Sequence, residues 1–159
     1  MKALQIITLA MLGLLTMSSS CEKESQNAVA PEPCSPSMVA ITAVPGLSAS
    51  PACLADATLE IRQSSKQIIT SAAQFRTAYT CPNPPVIDFG SFTLLTGQTK
   101  LPSGGRVISQ QITRSCKDYK YTVVVQQGTD AAVTTAKYHA LIPRIATDAK
   151  VEFEVQILP

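Results

Sequence analysis

The chain has no tryptophan, a single histidine, and charged side chains at only 15% of its 159 positions. Its four tyrosines and four phenylalanines fall mostly at core-like positions, and no run of basic residues accompanies them, which excludes a stacking platform for nucleic acid. With one histidine and no Cys-x-x-Cys pair, neither a zinc site nor a redox dithiol is expected. Phosphate loops and dinucleotide fingerprints are missing too, so no cofactor and no metal are expected. Asp88, His139 and a serine would mimic a hydrolase triad. However, no Gly-x-Ser-x-Gly or comparable nucleophile setting exists, and a lone histidine in a strand is ordinarily structural. The chain therefore reads as a non-enzyme, with Phe89 in the core and Asp88 accepting backbone amides where the chain enters the sheet.

Long apolar runs are also scarce. Residues 4–15 form one, broken by Gln5 and Thr8, and it is shorter than the roughly 20 residues a membrane-spanning helix needs. Lys2 precedes it, and Ser18, Ser19, Ser20 and Cys21 follow, the order of a secretory leader with small residues at its cleavage site. This looks like a bacterial lipoprotein precursor in which residues 1–20 are removed and Cys21 is acylated. Ser18 stands where such sites usually carry an aliphatic residue. Glu22 and Glu24 fit the style of Gram-negative surface lipoproteins, so the expected location is the outer membrane or cell surface, with the lipid bilayer as one partner.

Removing the leader leaves 139 residues, one domain of common size, carrying 12 basic and 11 acidic side chains. It also leaves four cysteines besides Cys21: Cys34, Cys53, Cys81 and Cys116. An even set outside the cytoplasm suggests two disulfides, for which three connectivities exist. If residues 91–97 and 106–115 form a hairpin, Cys116 faces the region around Ile87, close to Cys81. That geometry favours Cys81–Cys116 and leaves Cys34–Cys53.

Residues 21–37 are polar with Pro31, Pro33 and Pro36, and read as a tether before a single domain over residues 38–159. A short strand is expected near residues 39–44 and an alternating one over residues 58–63, with residues 67–69 as a further extended piece. One helix is expected over residues 71–79. Ser71 and Gln74 have the form of a capping box, Ala72, Phe75 and Tyr79 share a face, and Pro82 ends the helix. Beyond it the pattern is β. Strands over residues 91–97 and 106–115 flank a loop at 98–105, residues 119–127 follow a turn at Lys117 and Asp118, and residues 138–145 and 150–158 pair around Thr147 and Asp148. The fold class is mainly β (α+β): an antiparallel, sandwich-like domain with one short helix.

From about residue 68 to 158 the chain resembles the C-terminal domain of the protease complex subunit PrcB family. The residues that carry the resemblance are Ile69-Thr70-Ser71-Ala72-Ala73-Gln74-Phe75, Pro85-Val86-Ile87-Asp88-Phe89, Leu94-Leu95-Thr96-Gly97-Gln98, Leu101-Pro102-Ser103-Gly104-Gly105, Val123-Val124-Val125 and Tyr138-His139-Ala140-Leu141-Ile142. Arg106 replaces the aromatic that often follows the paired glycines, and Lys137 replaces a proline. The resemblance implies a non-enzymatic accessory lipoprotein that binds or stabilises another envelope protein, such as a protease. The loop is the candidate contact: Lys100, Pro102, Ser103, Gly104, Gly105 and Arg106 would put two cations and two permissive glycines at its tip. The alternatives are a ligand- or glycan-binding envelope lipoprotein, which the lack of tryptophan disfavours, and a protease inhibitor acting through the 98–105 loop. Metabolic labelling with a fatty acid is expected to mark the wild-type protein and leave a Cys21→Ala variant unmarked; equal labelling of the two would remove the anchor.

Overall fold

The computed structural model describes residues 34–44, 46–47 and 53–159; Cys21, the leader and most of the tether lie outside them. The elements in order are β1 (Ser37–Met38), β2 (Ser64–Ile69), α1 (Ala72–Ala78), β3 (Phe92–Leu101), β4 (Gly105–Ser115), β5 (Asp118–Gln127), β6 (Thr134–Pro143) and β7 (Val151–Leu158). The domain is mainly β with one short helix, as expected. One sheet has the order β1-β4-β5-β7 and the other β2-β3-β6. All neighbouring strands are antiparallel except β5 and β7, which run parallel.

Strand periodicity sorts the side chains into two cores. Leu95 and Leu101 of β3 meet Ile112 of β4, Tyr121, Val123 and Val125 of β5, and Tyr138, Ala140 and Ile142 of β6 between the sheets. Val151, Phe153, Val155 and Ile157 of β7 line the margin of this core, as their alternation with Glu152, Glu154 and Gln156 suggests. The opposite face of β2-β3-β6 carries Ile69, Leu94 and Leu141 into a second core with Phe75, Ala78 and Tyr79, completed by Val44, Leu47 and Leu54. The smaller sheet is thus covered on both faces. Each fully buried large side chain in it contributes about 1.5–3 kcal/mol over its exposed state.

Ser71 caps α1 by accepting the Gln74 amide at 3.3 Å. The return half of the box is displaced by one residue: Gln74 Oε1 accepts from the Thr70 amide at 2.8 Å. The helix stops at Ala78, before Pro82, because Tyr79 turns extended and bridges to Leu54. Ala72 is exposed; Phe75, Ala78 and Tyr79 make the buried face.

Four expected pairings, two of strands and two of cysteines, give way to others. The 91–97 and 106–115 strands do not form a hairpin, because β3 pairs with β2 and β6 while β4 pairs with β1 and β5. The link between them carries the chain from one sheet to the other, so the register that put Cys81 opposite Cys116 does not exist. The disulfides are instead Cys34–Cys116, with Cα atoms 5.2 Å apart, and Cys53–Cys81, at 5.0 Å. The closing segments do not pair around Thr147 and Asp148 either: β6 lies beside β3, and β7 crosses over to lie beside β5. Only the β4–β5 hairpin stands, its two-residue turn placing Cys116 at φ 56°.

The alternating stretch 58–63 is not a strand. Residues 54–60 run across the covered face of β3 and β6, and side chains answer their carbonyls: Lys137 Nζ donates to Leu54 O, Gln98 Nε2 to Ala55 O and Lys100 Nζ to Leu59 O. Nearer the start of the domain, Val39 donates to Ile112 O of β4 and Thr42 to Leu141 O of β6. That segment stitches the two sheets together along one side of the sandwich. On the other side β2 and β7 are edges without a further strand partner among the described residues, with Lys66 Nζ 6.0 Å from the Phe153 ring centroid.

Gly97 holds the smaller sheet at its narrowest point. A Cβ there would stand 2.5 Å from Ser65 O and 2.6 Å from the Tyr138 ring, which lies across the glycine from the paired strand. Gly97→Ala must displace either β2 or Tyr138, and it is expected to cost about 1–3 kcal/mol in a urea-denaturation measurement.

Candidate functional site

The 98–105 segment is mostly strand. Gln98, Thr99 and Lys100 complete β3, and only residues 102–104 link it to β4. These polar residues read as loop, yet the fold provides for each of them. Thr99 Oγ1 bonds Ser64 Oγ at 2.7 Å, and Lys100 Nζ reaches Leu59 O at 2.8 Å. Lys100 is therefore not a free cation at a tip; Arg106 is exposed and stands in β4 opposite Gln126.

Pro102, Ser103, Gly104 and Gly105 are half-buried. Ser103 Oγ donates to Gly128 O at 2.8 Å, Gly104 N–H donates to Asp130 O, and Gly128 N–H donates to Gly104 O. The link is thereby docked on the β5–β6 connection. A Cβ on Gly105 would run into Leu101 and the Gln126 carbonyl, so packing between its neighbours accounts for this glycine. The two connections border a shallow hollow of about 360 Å³ floored by Gly104, Gly105, Gly128 and Asp130.

Asp88 and His139 occupy separate environments. Asp88 Oδ1 accepts the Gly90 amide at 2.9 Å, and its backbone carbonyl accepts from Phe92, closing the turn into β3 as expected. The Ser91 hydroxyl, then the Gly90 amide, hold this carboxyl below its ordinary range. Phe89 packs into the second core, 6.0 Å from Phe75. His139 pairs with Thr96 in the middle of β6, and its Nδ1 is buried without a hydrogen-bond partner among the described residues. Burial holds its imidazole below the ordinary value. An orienting carboxylate would bond that very atom, so His139 and Asp88 are not arranged as a base with its orienter. Among the described residues no three His, Cys, Asp or Glu converge on a point.

A larger cleft has no counterpart in the sequence reading. It opens between β2 and α1, holds about 730 Å³, and has Gln67, Ile68, Ala73, Gln74 and Thr77 along its sides. Residues 55–57 form a third wall, and Gln98 of β3 lines it. Gln98 is 2% exposed; its Nε2 donates to Ala55 O at 3.0 Å while its Oε1 has no donor among the described residues. Leaving a buried acceptor unpaired costs about 1–3 kcal/mol. No signal in the sequence marks this glutamine, because its burial comes from the segment laid over it.

No protein-family model, curated protein or solved structure matches this chain.

His139 gives the domain a defined acid sensitivity. Its pKa is depressed in the folded state, so the unfolded chain binds the proton more tightly and stability falls as pH drops below the ordinary histidine value of about 6.5. Asp88 and Glu154, both held low, lose their contributions only in the more acidic carboxylate range. Urea midpoints of the wild type are expected to fall between about pH 7 and pH 5, and those of His139→Gln to stay level across that window.

Proposed function

We propose that this protein is a lipid-anchored, non-enzymatic lipoprotein of the bacterial envelope that holds or stabilises another envelope protein. The observation that carries this reading is the Cys34–Cys116 disulfide. Cys116 sits in the β4–β5 turn, so this bond fixes the start of the described chain to one end of the sandwich. Twelve residues lie between Cys21 and Cys34, so at most about 45 Å of extended chain joins the two. An acyl anchor on Cys21 would therefore attach to the domain at its Lys117 end. Strand direction then carries the 102–104 link, Arg106 and the 128–133 connection to the far end, where a partner in the envelope has access.

The cysteine pairs support the same reading. Cys34, Cys53, Cys81 and Cys116 consume one another, which leaves Cys21 as the fifth cysteine, free for acylation. Cross-links over separations of 82 and 28 residues restrict the unfolded chain by about 4 kcal/mol each, in keeping with an oxidising compartment. The resemblance to the PrcB family adds the class of partner, an envelope protein such as a protease.

A photo-cross-linking residue at position 106 of the full chain is expected to capture one envelope protein in intact cells, and the same residue at position 117 to capture lipid instead. Capture of the same proteins from both positions, or of none from position 106, would refute the arrangement.

A further inference from the structure

We infer that the cleft between β2 and α1 takes an extended polypeptide segment from another protein, paired along the free edge of β2, with an asparagine or glutamine carboxamide of that segment set against Gln98. This site is separate from the far-end surface, and the inference stands without the lipid anchor.

The edge supplies the first reason. β2 is bonded to β3 on one side only and has no strand partner on the other among the described residues. Three consecutive β2 residues, Gln67, Ile68 and Ile69, wall the cleft, so it runs along the backbone of that edge. A row of free N–H and C=O groups beside a cavity is matched by an extended chain, which offers the same groups at the same repeat.

The polar lining supplies the second. Gln98 Nε2 is committed to Ala55 O, which fixes the orientation of the amide and leaves Oε1 as a buried acceptor awaiting a donor. Across the cleft, Gln74 Oε1 is taken by the Thr70 amide and hydroxyl, so Nε2 is the half of that side chain left to donate. A carboxamide has both an N–H donor and a C=O acceptor, the complement of these two groups. A carboxylate has no proton for Gln98 Oε1, and an ammonium has no acceptor for Gln74 Nε2. Asp56 at the rim is paired with Lys137 Nζ at 2.7 Å, so its charge does not select a cation.

Size and surroundings agree. The walls are built of short side chains such as Ala55, Ala57 and Ala73, and the volume of about 730 Å³ lies within the range of ligand-binding cavities. Lys66, the cation of β2, stands on the sandwich side of the strand near Phe153 and stays out of the cleft.

The test uses the full chain carrying Cys21→Ala and a capped heptapeptide of alternating threonine and valine with one central glutamine. Saturable binding is expected, with slowed hydrogen exchange at amides of residues 64–69. Ala73→Arg, a substitution at an exposed helix position that fills the cleft, should weaken binding at least about tenfold. A peptide with leucine at its centre should bind about fivefold or more weakly than the glutamine peptide. No saturation below about 1 mM, protection along β7 instead of β2, or unchanged affinity in Ala73→Arg would each overturn the site, and equal affinity for the leucine peptide would overturn the carboxamide. Capture from position 106 repeated with Ala73→Arg reads the envelope function separately, since it is expected to be unaffected.

Discussion

Strand β3 is covered on both faces, and the rest of the domain is arranged around that fact. Its sequence is half polar, with Thr93, Thr96, Gln98 and Thr99 all buried. A buried hydroxyl or amide without a partner is costly, so each needs a bond from inside the protein. Thr96 Oγ1 bonds Tyr79 Oη at 2.8 Å and Tyr138 O at 3.0 Å, which ties the residue after the helix to the middle of the sheet. Thr93 Oγ1 accepts the Ile145 amide and fixes the start of the crossover from β6 to β7. Gln98 and Lys100 draw the 54–60 segment down onto the sheet. The helix and this segment are positioned by polar bonds to β3 as much as by the second core.

The same arrangement produces the two features from which function is argued. A chain that passes between sheets after β3 and again after β6 cannot form the local hairpins its spacing suggests. The cysteines are then free to join distant segments, Cys34 to the β4–β5 turn and Cys53 to the end of the helix region. One link ties the start of the described chain to one end of the sandwich, and the other holds the cover over the smaller sheet. Where that cover stops short of β2, a cleft remains, and one amide oxygen of Gln98 stays unpaired beside it.

The six loop residues singled out in the sequence do not act as one projecting tip. Lys100 is bonded inward, Ser103 and Gly104 hold the neighbouring connection, Gly105 is demanded by Leu101, and only Arg106 is exposed. Glycine, proline and serine signal a reversal of the chain, and a reversal is present. Whether such a reversal projects or docks depends on what lies beside it, here Gly128 and Asp130, more than 20 residues away in the chain.

Local physics made much of the domain legible. Ser71 with Gln74 marks a helix start through side-chain capping, period-two alternation marks β5 and β7, and the turn expected at Lys117 and Asp118 lies one residue earlier, at Cys116 and Lys117, where it closes the β4–β5 hairpin. Asp88 is also readable, because its bonds run to residues within a few positions. Those features depend on neighbours in the chain. Strand partners, disulfide partners, the burial of Gln98 and His139, and the cleft beside β2 depend on which sheet each strand joins. That choice is made by the packing of two cores and by the bonds β3 requires, and neither is a property of any short stretch of sequence.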